Sequence, residues 1–520
     1  MELTIEEIRR HVLGNNLDLA IYMLDPEISR TRISEEEARF DAAIMVGARY
    51  KKQDLPELDG DVVQLSEKST SLDKAIKAFE KGLSAGLSGD KGGKSGESKS
   101  EKGLMDGSTV KLTEVAQRKE SFDADIGLLV PLPTGATLRL GQYFDQDNTL
   151  SPYPSDQSIA ATRFSLSQPL LRNAGVDVNT AAIRIARLGE KSSIARTKLV
   201  AIRLLAVAEK AYWKLYGARE LLEIRRRLID LAEKNLEIVQ KRTKEGLIPA
   251  IEVIRAEVGV AQQLESLIIA ETTERIAERD LKRILNIEGV DLNSPTRLLS
   301  ATPPRLLRYE LSADALVREA MTNRMEMLEI ELAVAADDLR VEFAKNQTLP
   351  LITLDFEYGL LDRGGSFGTA WQNAWDFDKG DFAVGIRGEI PVTNELRKSQ
   401  LRRAVLTRTQ RLATRSAREL SIRQEVYDAL DVLNQNWQRM LAARQTVIAA
   451  GVNYDAERKQ FDEGTRTMRE VFEALAQLGD AQSREVSAII AYQVALIDLA
   501  YATGTLLGYS KVDVLEARFD

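Results

Sequence analysis

Apolar positions recur at two different spacings along this chain, and each spacing appears in both halves. A strict alternation runs through Phe40, Ala42, Ile44, Val46, Ala48 and Tyr50, with Asp41, Ala43, Met45, Gly47, Arg49 and Lys51 on the other side. Alternation places successive side chains on opposite faces of a strand. It resumes at Phe122, Ala124, Ile126, Leu128 and Val130, breaks at the turn Pro131 to Gly135, and returns with Leu138, Leu140 and Phe144. A further strand, Arg163 to Leu170, leads into a helix. In the second half Ile352, Leu354, Phe356, Tyr358 and Leu360 form one apolar face and Phe382, Val384, Ile386, Gly388 and Ile390 another, with a Gly-, Asp- and Trp-containing loop (Asp362 to Asp381) between them.

The second spacing is helical. Leu199, Ile202, Leu205, Leu215, Leu222, Leu228, Ile229, Leu236 and Val239 recur at steps of three and four, and no proline occurs between Pro169 and Pro249 or after Pro391. A helix from Asn179 to Glu245 would be on the order of 100 Å long. That length suits extended helix packing rather than a globular core. Ile5 to about Ala38 also reads as helical, with some interruption around Asp25-Pro26.

Each long helix ends at a glycine, and the two ends are copies. Thr243 to Val253 (TKEGLIPAIEV) aligns without a gap on Phe461 to Val471 (FDEGTRTMREV), matching Gly246 with Gly464. Glycine accepts the left-handed geometry that closes a helix, so both are read as tip turns. The chain is internally duplicated.

Composition narrows the function classes. In 520 residues, 71 basic and 79 acidic side chains give a net charge of -8, with no basic patch for nucleic acid. The chain has no cysteine and one histidine, His11, read as a solvated residue. Thiol chemistry, cysteine-ligated metal and Ser-His-Asp catalysis are thereby set aside, and no cofactor, metal site or catalytic cluster is expected. The Gly-, Ser- and Lys-rich stretch Leu83 to Gly107 lacks a phosphate-binding motif and reads as a surface loop. No run of about twenty apolar residues suggests a transmembrane helix, a criterion silent on membrane barrels. The start Met1-Glu2-Leu3-Thr4 shows no secretory signal, so an exported form would have its signal removed or left out.

Helices alone would favour a soluble coiled-coil scaffold or interaction protein. The strands shift the balance, because an apolar face opposite a polar or small one suits a transmembrane barrel. So few strands cannot close a pore from one chain. Oligomerisation is therefore expected.

The chain resembles the TolC-type outer-membrane efflux protein family over nearly its whole length. The resemblance rests on Leu3 to Ala20 (LTIEEIRRHVLGNNLDLA), Phe164 to Gly175 (FSLSQPLLRNAG), Gly385 to Val392 (GIRGEIPV), Gly464 to Thr467 (GTRT) and Ala502 to Tyr509 (ATGTLLGY), in that order. It implies an α+β membrane protein whose long α-helical barrel is continuous with an oligomeric transmembrane β-barrel, with two structural repeats per chain. The first repeat would span 1–287, with an inserted loop over 54–120. A connecting segment of the equatorial region would follow over 288–310. The second repeat would span 311–509, with strands 350–361 and 381–391, and a C-terminal tail 510–520.

The resemblance further implies a homotrimer in the outer membrane of a Gram-negative-type cell, its helices extending into the periplasm. Its partners would be outer-membrane lipid, a periplasmic adaptor protein and an inner-membrane transporter. It would act as a passive channel-tunnel for small molecules, metal ions or polypeptides, not as an enzyme, gated at its periplasmic tip. The family's minimal pattern has two strands per half, so the hairpin around Pro131 to Thr137 would either extend the barrel or sit outside it.

Site residues follow from the same source. Glu470 and Glu473 share a helix face at a spacing of three, and the resemblance turns them into the lumen carboxylate ring of a trimer. Such a ring concentrates cations, and repulsion within it favours protonation of some members. Without the resemblance they read as solvated glutamates. Arg466 matches a latch position whose acidic partner would be Glu252, an exposed pair being easily broken. Phe461 and Ile251 stand where the family can have tyrosine and threonine, so a sparser latch is expected.

Overall fold

The computed structural model describes residues 1–54, 118–150, 157–364 and 380–510. The Gly/Ser/Lys stretch, most of the 54–120 insertion, most of the loop between Asp362 and Asp381 and nearly all of the C-terminal tail lie outside these residues.

The N-terminus forms strand β1 (Glu2–Leu3) and helices α1 (Ile5–Asn15), α2 (Leu17–Tyr22) and α3 (Leu24–Glu37). The interruption expected around Asp25-Pro26 falls at Met23, and a second break occurs at Asn16, whose side chain caps α2. Pro26 lies in the first turn of α3, where a missing N–H costs little.

Strands β2 (Ala43–Asp54), β3 (Arg118–Pro131), β4 (Thr137–Leu150) and β5 (Gln157–Pro169) follow. Phe40 is not part of β2, because Ala38–Phe40 is a short 3-10 turn. A four-residue helix α4 (Val176–Asn179) leads to the hairpin of α5 (Ala181–Lys244, 64 residues) and α6 (Ile251–Leu285). Strand β6 (Leu299–Ser300) pairs in parallel with β1. The second half has α7 (Ala313–Asn323), α8 (Met325–Gln347), β7 (Leu351–Gly364), β8 (Gly380–Glu389), then α9 (Glu395–Asp462, 68 residues), α10 (Met468–Ala502) and α11 (Leu506–Ser510).

One six-stranded sheet holds the order β2-β3-β4-β5-β7-β8, every neighbouring pair antiparallel. The hairpin β3–β4 is thus inside the sheet. Its turn is fastened below: Gly175 N–H donates to Thr134 O (3.1 Å), and Gly135 (φ +88°) leaves 2.2 Å between an added Cβ and Asn173 O.

The helices pack side by side as a layer. Toward the tips the order is α6-α5-α10-α9, where α6 also touches α10 and Arg242 of α5 reaches Asp462 of α9. Where the 35-residue α6 and α10 end, α3 and α8 take their places beside α5 and α9. Tyr212, Leu205, Leu215 and Leu281 bury a core at mid-height, and Leu228, Val239, Phe461, Val471 and Leu475 bury a second near the tips. The 288–310 stretch straps this layer, with Gln493 Nε2 donating to Arg305 O (2.9 Å) and the Thr302 amide to Tyr212 Oη (2.9 Å). Among the described helices α10 alone is long and apolar enough to cross a membrane by length and composition. Its apolar residues instead include core members such as Val471, Leu475, Tyr492 and Leu499.

Candidate functional site: the helical tips

Both tips close by the same backbone geometry. Gly246 (φ +74°) and Gly464 (φ +77°) follow the last helical turn. Leu247 N–H donates to Arg242 O and Thr465 N–H to Gln460 O, each at 2.9 Å, the six-to-one bond of a Schellman closure. The copies diverge on the way out. Helix α6 starts after Ile248-Pro249-Ala250 with no side-chain cap, whereas Thr467 and Glu470 form a capping box at the start of α10.

That box defines what Glu470 does within one chain. Its Oε2 accepts from the Thr467 amide (2.6 Å) and hydroxyl (3.0 Å), and its Oε1 accepts from Arg466 Nη1 (3.0 Å). The Thr467 backbone bond, then Arg466 and the Thr467 hydroxyl, hold the Glu470 carboxyl below its ordinary value. This local bonding opposes the protonation that crowding of carboxylates would favour. Glu473, one turn on, accepts from Arg469 Nε (2.7 Å).

The two expected latch residues have separate partners within the protomer. Arg466 donates to Gln460 Oε1 (3.1 Å) as well as to Glu470, and lies 3.6 Å from Glu457. Glu252 is buried. Its Oε1 accepts from Arg255 (2.5 Å), and its Oε2 has no hydrogen-bond partner among the described residues.

A contact that sequence reasoning missed joins the two tips. Arg242 Nη2 donates to Asp462 Oδ1 (2.8 Å), Nη1 donates to Phe461 O (3.3 Å), and the guanidinium lies 5.0 Å from the Phe461 ring centroid. Phe461, noted as a departure from a hydrogen-bonding tyrosine, thus contributes a ring face to a cation. The only signal in the sequence was a basic last turn, Lys241, Arg242 and Lys244, and many helices carry one for the sake of the helix dipole. Arg242→Ala is expected to loosen the two hairpins at their ends. Faster amide hydrogen exchange confined to residues 240–250 and 458–468 would report it, and unchanged exchange there would count against the clamp.

Among the described residues, α6 and α9 each leave an apolar face exposed. On α9, Leu406, Ala413, Leu420, Tyr427, Asn434, Leu441 and Ile448 follow one another at seven-residue steps, and all are exposed. On α6, Ile251, Ile254, Val258, Ile268, Ile269 and Ile276 are exposed. The sheet likewise ends at β2 and β8, where Ile44, Val46, Tyr50, Phe382, Val384 and Ile386 stand in solvent.

Comparison with known proteins places the geometry in context. Residues 316–505 match the family model described as outer membrane efflux protein. The outer membrane protein TolC of Vibrio cholerae serotype O1 is 25% identical over 410 residues, which cover 78% of this chain and 89% of that relative. The fold is shared with CusC, described as forming a transmembrane channel (TM-score 0.64, 14% identity, 96% of this chain and 92% of that one). It is also shared with the outer membrane protein VceC of Vibrio cholerae (TM-score 0.63, 13% identity, 96% of each chain).

Proposed function

Membership of the TolC-type outer-membrane efflux family, whose members are passive outer-membrane channels of Gram-negative bacteria and not enzymes, is the premise from which we propose that three copies of this chain form one export duct. Energy for export would come from an inner-membrane transporter coupled through a periplasmic adaptor. Small molecules, metal ions or polypeptides would pass, and the helical tips would be the gate.

The observation that carries this reading is the pair of exposed apolar stripes. The heptad stripe of α9 is a coiled-coil seam without a partner helix among the described residues, and α6 offers a second exposed apolar stripe. A second copy supplies what each lacks. The six strands of the described sheet also leave β8 antiparallel to the β2 of the next copy, so the sheet can close without a parallel seam. A soluble scaffold would have no use for the exposed apolar sheet face. Fractionation tests the reading: the protein should require detergent and run as a heat-sensitive trimer, and recovery as a soluble monomer would end it.

At the gate, trimerisation would gather six carboxylates from Glu470 and Glu473. The double variant Glu470→Ala/Glu473→Ala is expected to lower cation preference and divalent-cation block in single-channel recordings. Unchanged selectivity would remove the ring assignment. For Arg466 and Glu252 a latch between neighbouring coils would first have to expose the Glu252 Oε2, which is buried within the protomer and has no hydrogen-bond partner among the described residues. It requires Arg466 to leave Glu470, so Arg466→Ala is expected to raise conductance while weakening the local cap. Conductance equal to that of the parent would argue against it.

A further inference from the structure

We infer that the β3–β4 hairpin is a barrel-widening insertion, so that the exit pore closes with eighteen strands rather than the twelve that four strands per chain would provide. This inference rests on the trimeric duct reading above. Its new content is the size of the exit and the class of cargo that the exit can pass.

Register supports it first. The hairpin is hydrogen-bonded on both sides, Ala43 to Asp54 pairing with Leu129 to Arg118 and Thr137 to Asp147 with Ser167 to Gln157. A hairpin lying against the outside of a barrel would leave β2 beside β5. Here those two strands are separated by both inserted ones.

The faces agree with the register. One directly paired row runs Ile44, Leu128, Leu140, Phe164, Tyr358, Phe382, one apolar residue from each strand. The inserted strands therefore supply their share of the same apolar belt, as lipid-facing strands do. On the opposite face every strand but β5 carries a glycine: Gly47, Gly127, Gly141, Gly359 and Gly385. Small residues suit the inner side of a curving sheet, where side chains crowd. Gly127 and Gly141 are directly paired, and a Cβ added at Gly127 would stand 3.1 Å from Leu140 O. The hairpin thus shares the lipid belt and the inner glycines of the sheet, and its turn is fastened to the strand-to-helix junction by Thr134 and Gly135.

Geometry converts strand number into width. With strands about 4.8 Å apart and tilted by about 40°, twelve strands enclose a backbone circle about 24 Å across and eighteen about 36 Å. An eight-stranded barrel of about 8 Å radius is just filled by its own side chains, so the same lining leaves a free radius of about 4 Å for twelve strands and about 10 Å for eighteen. An exit of the larger size passes compact solutes about 20 Å across, such as peptides, and leaves size selection to the helical tip.

The chain has no cysteine, so engineered pairs can report strand neighbours without background. Ala48→Cys/Ala124→Cys, directly paired across β2 and β3, is expected to form an intrachain disulfide in the purified trimer. Val46→Cys/Thr162→Cys is expected to form none, because β2 and β5 lie three strand spacings, about 14 Å, apart. Electron cryomicroscopy of the parent trimer along its axis should show a ring of about 36 Å, by the same spacing and tilt. A trimer with a twelve-stranded ring, or efficient cross-linking of Val46→Cys/Thr162→Cys, overturns the widened exit while leaving the duct intact. A soluble monomer overturns the duct and the widened exit together.

Discussion

Leu420→Asp/Leu441→Asp is expected to release the protein as a folded monomer. Both leucines lie on the exposed seven-residue stripe of α9, 68% and 44% accessible within one protomer, so neither supports the chain's own core. In an assembly whose α9 packs on a neighbouring α6 they would be buried. Each truncation then forfeits about 1.5–3 kcal/mol of apolar burial per interface, and each carboxylate adds the cost of placing an unpaired charge in a closed seam. Three interfaces in one ring multiply the loss. Light scattering coupled to size exclusion should find the mass of one chain, with far-ultraviolet circular dichroism still showing the parent's helicity. A trimer that survives both substitutions would show that α9 is not the joining edge.

The second large effect is expected at the junction of α7 and α8, within a single chain. Arg324 is 4% exposed and donates from Nε and Nη2 to Glu326 (3.0 and 2.8 Å) and from Nη1 to Ala502 O (3.1 Å); its Nη2 also lies 2.8 Å from Glu425. This group ties the start of α8 to α9 and to the end of α10. Arg324→Met keeps much of the volume but leaves the Glu326 carboxylate buried without its main partner. Removing one member of such a pair costs about 3–5 kcal/mol, measurable as a lower midpoint of thermal or denaturant unfolding. Little change in the midpoint would mean that Arg418, 3.2 Å from Glu326, suffices alone.

The same pair sets an acid limit. Burial pushes the Glu326 carboxyl up, but the hydrogen bonds and charge of Arg324, aided by Arg418, outweigh it and hold the carboxyl below its ordinary value. A carboxyl depressed by folding stabilises the folded state above the unfolded-state value, near 4.5. That contribution is lost as pH falls through the lower folded-state value. Stability should therefore decline below about pH 4.5, and less steeply in Glu326→Gln than in the parent.

Parts of this architecture could be read directly from the chain. Alternation located all six strands of the sheet to within a few residues at most ends, and the glycine tips fell where Gly246 and Gly464 close their helices. Both are local properties: a two-residue period and a positive φ concern consecutive residues only. Misplaced boundaries were local competitions as well. Asn16 caps α2 because its side chain accepts from Leu19 N–H, and Pro26 is harmless in a first turn. The tip chemistry was legible in residue type but not in partners. The sequence places Arg466, Glu470 and Glu473 at the tip without giving their partners: Glu470 bonds first to the amide of Thr467 three residues before it, and a basic last turn does not single out Arg242.

Period, strand and helix type, the duplicated tips and the lack of thiol chemistry are consequences of residue order alone, since each depends on neighbours along the chain. Tertiary structure decided what lies between β2 and β5, which helix faces remain exposed, and that Arg242 rather than Arg466 joins the two tips of one protomer. Those outcomes depend on backbone hydrogen bonds and side-chain contacts between segments more than two hundred residues apart in the chain, 220 for Arg242 and Asp462. For such contacts the sequence supplies compatible faces, and only packing chooses among them.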